Sequence, residues 1–301
     1  MNIRDLKYLV AVADHNHFGR AAEACFVSQP TLSMQLKKLE EELGITVFER
    51  SNKQILITDI GEKIVAKARE ILLDIEGMKS LAQTAHDPMV GPLRLGVIPT
   101  VAPYLLPHVM SSLVTTFPKL ELYLIEEKTP NLVELLDKGR VDAAIMALPN
   151  EETLEYQVLY EEPFYLACAK SNQMSEQLSV SMESLMSEKI MLLEEGHCLR
   201  SQAMDICHQV KAQNIADFSA TSLETLRLMV AAGNGVTLLP ALSVTGRDQD
   251  DLSILPFNDS QPFRQIALFW RGNSSKKRCF SNITSVIIEE VAHKTSTLSF
   301  D

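Results

Sequence analysis

Apolar residues recur every three or four positions through the first eighty residues, then in short runs separated by polar, helix-spaced segments. Leu6, Leu9, Val10 and Ala13 give a short amphipathic helix. Leu32, Leu36, Leu39 and Leu43 mark one face of another, opened by Ser28 as N-cap with Pro30 in the first turn and closed by Gly44. A helix from Phe18, a tight turn and this second helix read together as a helix-turn-helix. Ile55-Leu56-Ile57-Thr58, following Phe48-Glu49-Arg50, reads as a short wing.

Beyond Thr58 the period lengthens. Ile64, Ala68, Ile71, Ile75, Met78 and Ala82 step by four and three in alternation, the seam of a coiled coil, and the simplest use of such a stripe is a two-fold dimer. The alternative is a helix packed on its own core. His86-Asp87-Pro88-Met89-Val90-Gly91-Pro92 ends the helix as a hinge. From residue 93 short apolar runs read as strands: 93–97, 120–125, 141–145, 164–168, 189–193, 236–239 and 265–270. Helical patterns such as 131–138 and 222–232 lie between them. Such alternation predicts an α/β domain with mainly parallel sheets and two small lobes around a cleft. The expected organisation is a winged helix-turn-helix at 1–58 and a linker and dimerisation helix with hinge at 59–90. The effector domain occupies 91–301, with lobe I at approximately 91–162 and 268–301 and lobe II at approximately 163–267.

Composition bounds the function. A 46% hydrophobic, 22% charged chain of 301 residues is globular, and no apolar run approaches a membrane span. Its first residues open a helix rather than a signal peptide, so a cytoplasmic protein with its cysteines as thiols is expected. Charge does not advertise nucleic acid. The net charge is −11, and residues 1–90 hold 11 Lys and Arg against 13 Asp and Glu. Cations must therefore gather on one face, through Arg4, Lys37, Lys38, Arg50 and Lys53. The candidate DNA-reading set is Arg4, Ser28, Gln29, Pro30, Thr31, Ser33, Gln35, Lys38 and Arg50, whose amides, hydroxyls and cations suit base edges and phosphates. The bland reading of the same residues is an amphipathic helix pair with a polar face.

Two cysteines nine positions apart, Cys198 and Cys207, carry the other candidate chemistry. On a single helix their Cα atoms would be separated by about 13 Å. A disulfide needs roughly 4.4–6.8 Å, so an oxidised pair here would force that segment to unwind. Cys198 would also sit at a helix start after Gly196-His197, where the dipole and a nearby His or Arg favour the thiolate. Spacing alone leaves other readings open: two inert buried thiols, or a thiol peroxidase. Zinc fits poorly, because His197-Cys198 and Cys207-His208 match no common ligand spacing. Cys25, Cys168 and Cys279 read as structural.

Several strings resemble the LysR-type transcriptional regulators: Arg20-Ala21-Ala22-Glu23, Val27 to Ser33, Leu39 to Gly44 and Val47-Phe48-Glu49-Arg50. Further on, Gly196 to Arg200, Gln202-Ala203-Met204, Cys207, Ala220 to Arg227 and Met229 to Gly233 resemble the peroxide-sensing members of that family. The resemblance implies double-stranded DNA and hydrogen peroxide as partners, with Cys198 peroxidatic and Cys207 resolving through a reversible disulfide. It places Thr100, Thr129, His197 and Arg264 around the peroxide. It further implies RNA polymerase as a partner, glutaredoxin and glutathione as reductant, and a tetramer built as a dimer of dimers. No cofactor, no metal, no enzyme activity and no membrane association are implied. Asp205 departs from the pattern, which has a small residue there, and puts peroxide sensitivity in question. The alternative within the family is a small organic effector held in the cleft between the lobes.

Overall fold

Asn2 starts the first helix by a capping box: its side chain accepts from the amides of Arg4 and Asp5, and the Asp5 carboxylate accepts from the Asn2 amide at 2.8 Å. The computed structural model describes residues 1–50, 55–84, 87–148, 154–244 and 252–296, without the side chains of Arg50, 79–84 and 294–296. It falls into two units, Met1–Ala85 and His86–Asp301.

In the first unit, α1 (Ile3–His15), α2 (Phe18–Ala24) and α3 (Gln29–Leu43) surround a core containing Leu6, Leu9, Val12, Ala21, Ala22, Leu32, Leu36 and Leu39. Ser28 caps α3 by accepting from the Thr31 amide, and Gly44 ends it with φ 67°, a left-handed geometry natural to glycine. A short antiparallel wing follows, β1 (Phe48–Arg50) on β2 (Ile55–Ile57). Glu40 of α3 holds its base by accepting from the amides of Val47 and Phe48 at 2.8 and 3.0 Å.

The helix α4 (Asp59–Thr84) starts against the wing. A Cβ at Gly61 would lie 2.5 Å from the Val47 carbonyl, so a residue without a side chain is required for that approach. Part of the predicted dimer seam is used within the chain. Val65 and Ala68 are buried, and Ile64, Ile71 and Leu72 pack against the same core. Ala68 in particular belongs to this core, because a helix laid along α1 must bury a stripe of its own. Ile75 lies outside that cluster, and Met78 is 70% exposed.

The second unit opens with β3 (Gly91–Val97), α5 (Ala102–Thr116), β4 (Leu120–Glu126), α6 (Thr129–Asp137) and β5 (Ala143–Ala147). Then come β6 (Glu155–Ala169), β7 (Ile190–Leu193), α7 (Cys198–Gln209), β8 (Ile215–Ala220), α8 (Leu223–Ala231) and β9 (Thr237–Pro240). The short α9 (Ala241–Val244), β10 (Leu252–Leu255), β11 (Phe263–Trp270) and α10 (Lys277–Ser296) complete it. A seven-stranded sheet runs β10-β6-β11-β5-β3-β4, with β9 also on β6, while β7 and β8 pair separately.

The sheet is mixed, not mainly parallel as expected. β3 pairs parallel with β4 and β5, and β7 with β8, but β11–β5, β11–β6, β10–β6 and β9–β6 are antiparallel. The cause is β6, which pairs with β11 up to Pro163 and with β9 and β10 from Phe164 onward. The chain leaves one strand group along β6 and returns along β11. Two crossings in opposite senses that lie side by side must be antiparallel. The sequence pattern marks only the last part of β6 and gives no sign of β8 or β10. Among the described residues no helix is long and apolar enough to cross a membrane.

Candidate functional site

On the first unit, Ser28, Gln29, Pro30, Thr31 and Lys38 are exposed, as is Arg4 at the start of α1, while Ser33 and Gln35 are half-buried. Ser28 and Thr31 share a hydroxyl–hydroxyl contact of 2.8 Å. Arg50 lies on β1, and its side chain falls outside the described residues. With Leu32, Leu36 and Leu39 inward, Pro30, Met34, Lys37 and Glu41 fall within about 60° of one another on the outward face. Met34, 63% exposed, sits in the middle of it. A search for polar groups along the sequence passes over Met34.

The second unit gathers the thiol chemistry where β3, α6, β6, α7 and β11 come together. Cys198 is the first residue of α7. Gly196 precedes it with φ 88°, and Lys128 lies so close that a Cβ there would meet its Cδ at 3.1 Å. His197 occupies the N-cap position without capping through its side chain. Its ring turns inward, 5% exposed, hydrogen bonds to the Thr221 backbone and leaves Nε2 buried with no partner among the described residues. Burial, with Lys128 adding to it, lowers its pKa against the pull of Glu194 and Thr221, so the ring is held neutral.

Arg264 forms the opposing wall. Its Nε and Nη2 donate to Glu162 Oε2 at 2.8 and 2.7 Å, and both side chains are at most 2% exposed. Nη1 donates to Thr100 Oγ1 and Nη2 to the Thr100 carbonyl, each at 3.1 Å. The second oxygen of Glu162 accepts from the Leu242 amide at 2.8 Å. Burial works against the guanidinium charge, but Glu162, Tyr160 and Cys198 outweigh it, and its pKa is raised. The Cys198 sulfur thus lies within electrostatic range of a fixed cation.

Thr100 and Thr129 do not cap the helices that follow them: neither α5 nor α6 has a side-chain cap, and Thr129 is already the first residue of α6. The Thr129 hydroxyl is buried without a partner among the described residues, as is that of Tyr160. Unpaired buried hydroxyls are uncommon and suit a small polar guest. Lys128 closes the rim by donating to the Glu194 carboxylate and to the Glu195 carbonyl. Sequence reasoning missed Glu162, Tyr160, Lys128 and Glu194. Glu162 alone left a signal, an acid beside the apolar run 163–169.

Cys207 stands in the last turn of the same helix, fully buried, its thiol pushed up to about 11 by that burial. An unbroken α7 separates it from Cys198 by about 13 Å along the axis. Both are free thiols. Cys168 and Cys279 are buried, each raised to about 11 by desolvation, and Cys25 is half-buried. Among the described residues no three His, Cys, Asp or Glu side chains could hold a metal ion.

Comparison with known proteins bears on both units. Residues 3–62 match the bacterial regulatory helix-turn-helix protein, lysR family, and residues 86–289 match the LysR substrate binding domain. The chain belongs to the LysR family. A hydrogen peroxide-inducible genes activator of Pectobacterium carotovorum subsp. carotovorum is 46% identical over 301 residues, 99% of this chain and 100% of that one. The DNA-binding transcriptional dual regulator OxyR of Escherichia coli K12 is 46% identical over 289 residues, 95% of each chain. A full-length OxyR variant from Pseudomonas aeruginosa superposes with a TM-score of 0.79 at 38% identity, covering 95% of this chain and 94% of that one. A solved oxidized form of OxyR reaches 0.64 at 42% identity, over 71% of this chain and 100% of that one. The helix α3 thus falls within the matched helix-turn-helix segment and Cys198 within the matched substrate binding domain.

Proposed function

We propose that this chain is a DNA-binding transcription regulator that senses hydrogen peroxide through a reversible Cys198–Cys207 disulfide. One observation carries the reading. Two free thiols stand at opposite ends of one helix, one within electrostatic range of a buried arginine, the other sealed in the core. The relatives are named for peroxide-inducible gene activation, and one solved relative is described as an oxidized form.

The chemistry follows from the arrangement. The Cys198 thiolate attacks the near oxygen of the peroxide, the O–O bond breaks, and the leaving hydroxide takes a proton from the hydroxyl-lined pocket to become water. Thr129 relays that proton and is reprotonated from solvent, Thr100 holds the peroxide, and Arg264 favours the anionic sulfur, with the neutral His197 ring as a polar neighbour. Cys198 is left as a sulfenic acid. Cys207 then loses its proton and attacks that sulfur, forming the S–S bond as the second oxygen departs as water. With its pKa near 11 in the core, Cys207 reacts only after α7 unwinds. Two thiols are oxidised, and one peroxide is reduced to two waters. Each molecule is oxidised once, then waits for glutaredoxin and glutathione, and its output is the change in DNA binding rather than the peroxide it removes.

The unwound segment changes how the subunits pack. A tetramer arranged as a dimer of dimers transmits the change to α3 and to RNA polymerase in the cytoplasm. Intact mass with thiol labelling, before and after brief dilute peroxide, tests the reading. One disulfide between Cys198 and Cys207 is expected, with Cys198→Ser inert and Cys207→Ser halting at a dimedone-trappable sulfenic acid. A Cys198→Ser protein that is still oxidised by dilute peroxide as fast as the wild type, or a wild-type rate no faster than free cysteine, refutes it in favour of an organic effector.

A further inference from the structure

Of the exposed apolar side chains on the DNA-reading unit, two lie in the turn and second helix of the helix-turn-helix, Phe26 and Met34. Phe26, in the turn between α2 and α3, is 96% exposed. Its backbone also adopts φ 55°, the left-handed region that an aromatic residue enters at a cost and that Gly or Asn would enter more cheaply. The turn itself is well made: the Phe26 amide donates to Glu23 and the Val27 amide to Ala22, both at 3.0 Å. Met34 is 63% exposed in the middle of the outward face of α3, between Pro30 and Lys37.

We infer that Met34 and Phe26 read thymine, through its C5-methyl group, in the major groove. This rests on the DNA-binding reading and extends it to sequence preference. The thymine methyl is the one apolar feature that the four base pairs present on the major-groove edge, and it is read by apolar contact rather than by hydrogen bonds. The amides and hydroxyls of Gln29, Thr31 and Gln35 suit the polar edges of the other bases but discriminate poorly for a methyl. Met34 lies about 60° around α3 from Thr31, and Phe26 sits in the turn that leads into the helix's N-terminal end. Lys38 beside Met34 directs the same face toward phosphates rather than toward an apolar protein partner, Lys37 being paired with Glu41 at 3.8 Å. In a segment with more acids than bases, affinity draws less on phosphates and more on close base contacts.

The test uses the full-length protein. Sites are selected from random duplex DNA, and each thymine of the bound site is then replaced in turn by deoxyuridine, which deletes one methyl and nothing else. At one or two thymines per half-site the wild type should lose about fourfold in affinity, the equivalent of one buried methyl at about 0.8 kcal/mol. Met34→Ala and Phe26→Asn should each abolish the loss at one thymine while binding the deoxyuridine duplex as the wild type does. Asn keeps the left-handed turn, and both positions are exposed, so circular dichroism should be unchanged. If no thymine is sensitive to deoxyuridine, or sensitivity persists in both variants, the inference is overturned. A protein that selects no sequence at all overturns the DNA-binding reading as well.

Discussion

If oxidation must unwind α7, then changing the helix's own stability, without touching either cysteine, should move the redox equilibrium in a predictable direction. Residue 205 offers the place: it is exposed, lies between the two cysteines, and is well inside the helix at 198–209. Asp205→Ala and Asp205→Gly bracket the range of helix propensity, a span of about 1 kcal/mol at an interior exposed position. That difference acts on the reduced form, which is helical, and not on the unwound oxidised form. For a two-electron couple, where about 30 mV corresponds to 1.4 kcal/mol, the reduction potentials of the two variants should differ by about 20 mV. Glycine should give the more negative value, because it weakens the state that holds thiols. If unwinding precedes the attack by Cys207, the step from sulfenic acid to disulfide should be about fivefold faster for glycine than for alanine. Sulfenic acid formation at Cys198 should be the same in both. Equilibration against defined glutathione ratios gives the potential, and timed dimedone trapping after a peroxide pulse gives the rate. Equal potentials and equal rates, or a faster alanine variant, would show that α7 does not unwind in the switch.

Three other outcomes are expected. Glu162→Gln leaves Arg264 buried with its charge uncompensated, which should cost the effector unit about 3–5 kcal/mol in urea unfolding, far more than a surface substitution. His197 has a folded-state pKa below its usual value of 6.5, so the unfolded chain takes up the proton first. Stability should be intact above about pH 6.5 and fall as the pH drops toward the folded pKa, and His197→Gln should flatten that fall in a pH series of melting temperatures. Ile75→Asp with Met78→Asp should dissociate a dimer seen by sedimentation while leaving the first unit folded, since neither residue belongs to its core. An unchanged sedimentation coefficient would place the dimer contact elsewhere.

What could be read from the sequence was local. The α3 boundaries follow from a serine cap, a proline in the first turn, a leucine every third or fourth position and a terminal glycine, all within seventeen residues. The demand that α7 unwind needed only the spacing of two cysteines and the rise of a helix. The polar frame around Cys198 was less accessible. Arg264 could be named by resemblance, but its partner Glu162 lies 102 positions away and is brought to it only by the antiparallel pairing of β6 and β11. The start of β6 escaped because Glu155, Gln157, Glu161 and Glu162 break the apolar pattern, and the mixed character of the sheet went unrecognised with it. Ala68 illustrates the opposite failure. A heptad-like stripe points as a whole to a partner helix, yet a long helix anchored on α1 must first satisfy its own domain, and periodicity does not say which neighbour a stripe faces.

The proposed switch divides its labour between parts of unequal firmness. Arg264, Glu162 and Thr100 are locked to one another and to the Leu242 amide, and β6 and β11, which carry the charge pair, are held along their length by the sheet. Distorting that frame would strand a buried charge, so it stays fixed through the reaction. The helix α7 is built differently. It has no side-chain cap at its start, ends at Val210 without a glycine, and is twelve residues long, a length marginal without tertiary packing. Its packing includes Leu199, Ala203, Ile206 and Cys207 on one face, and Cys207 is the thiol that must leave. Sulfenic acid formation gives that departure a driving force, the new S–S bond, without requiring the frame to move. In the proposed switch, peroxide chemistry at the helix start would thereby be coupled to the loss of the helix, while the frame around Arg264 would survive to receive the next peroxide after reduction.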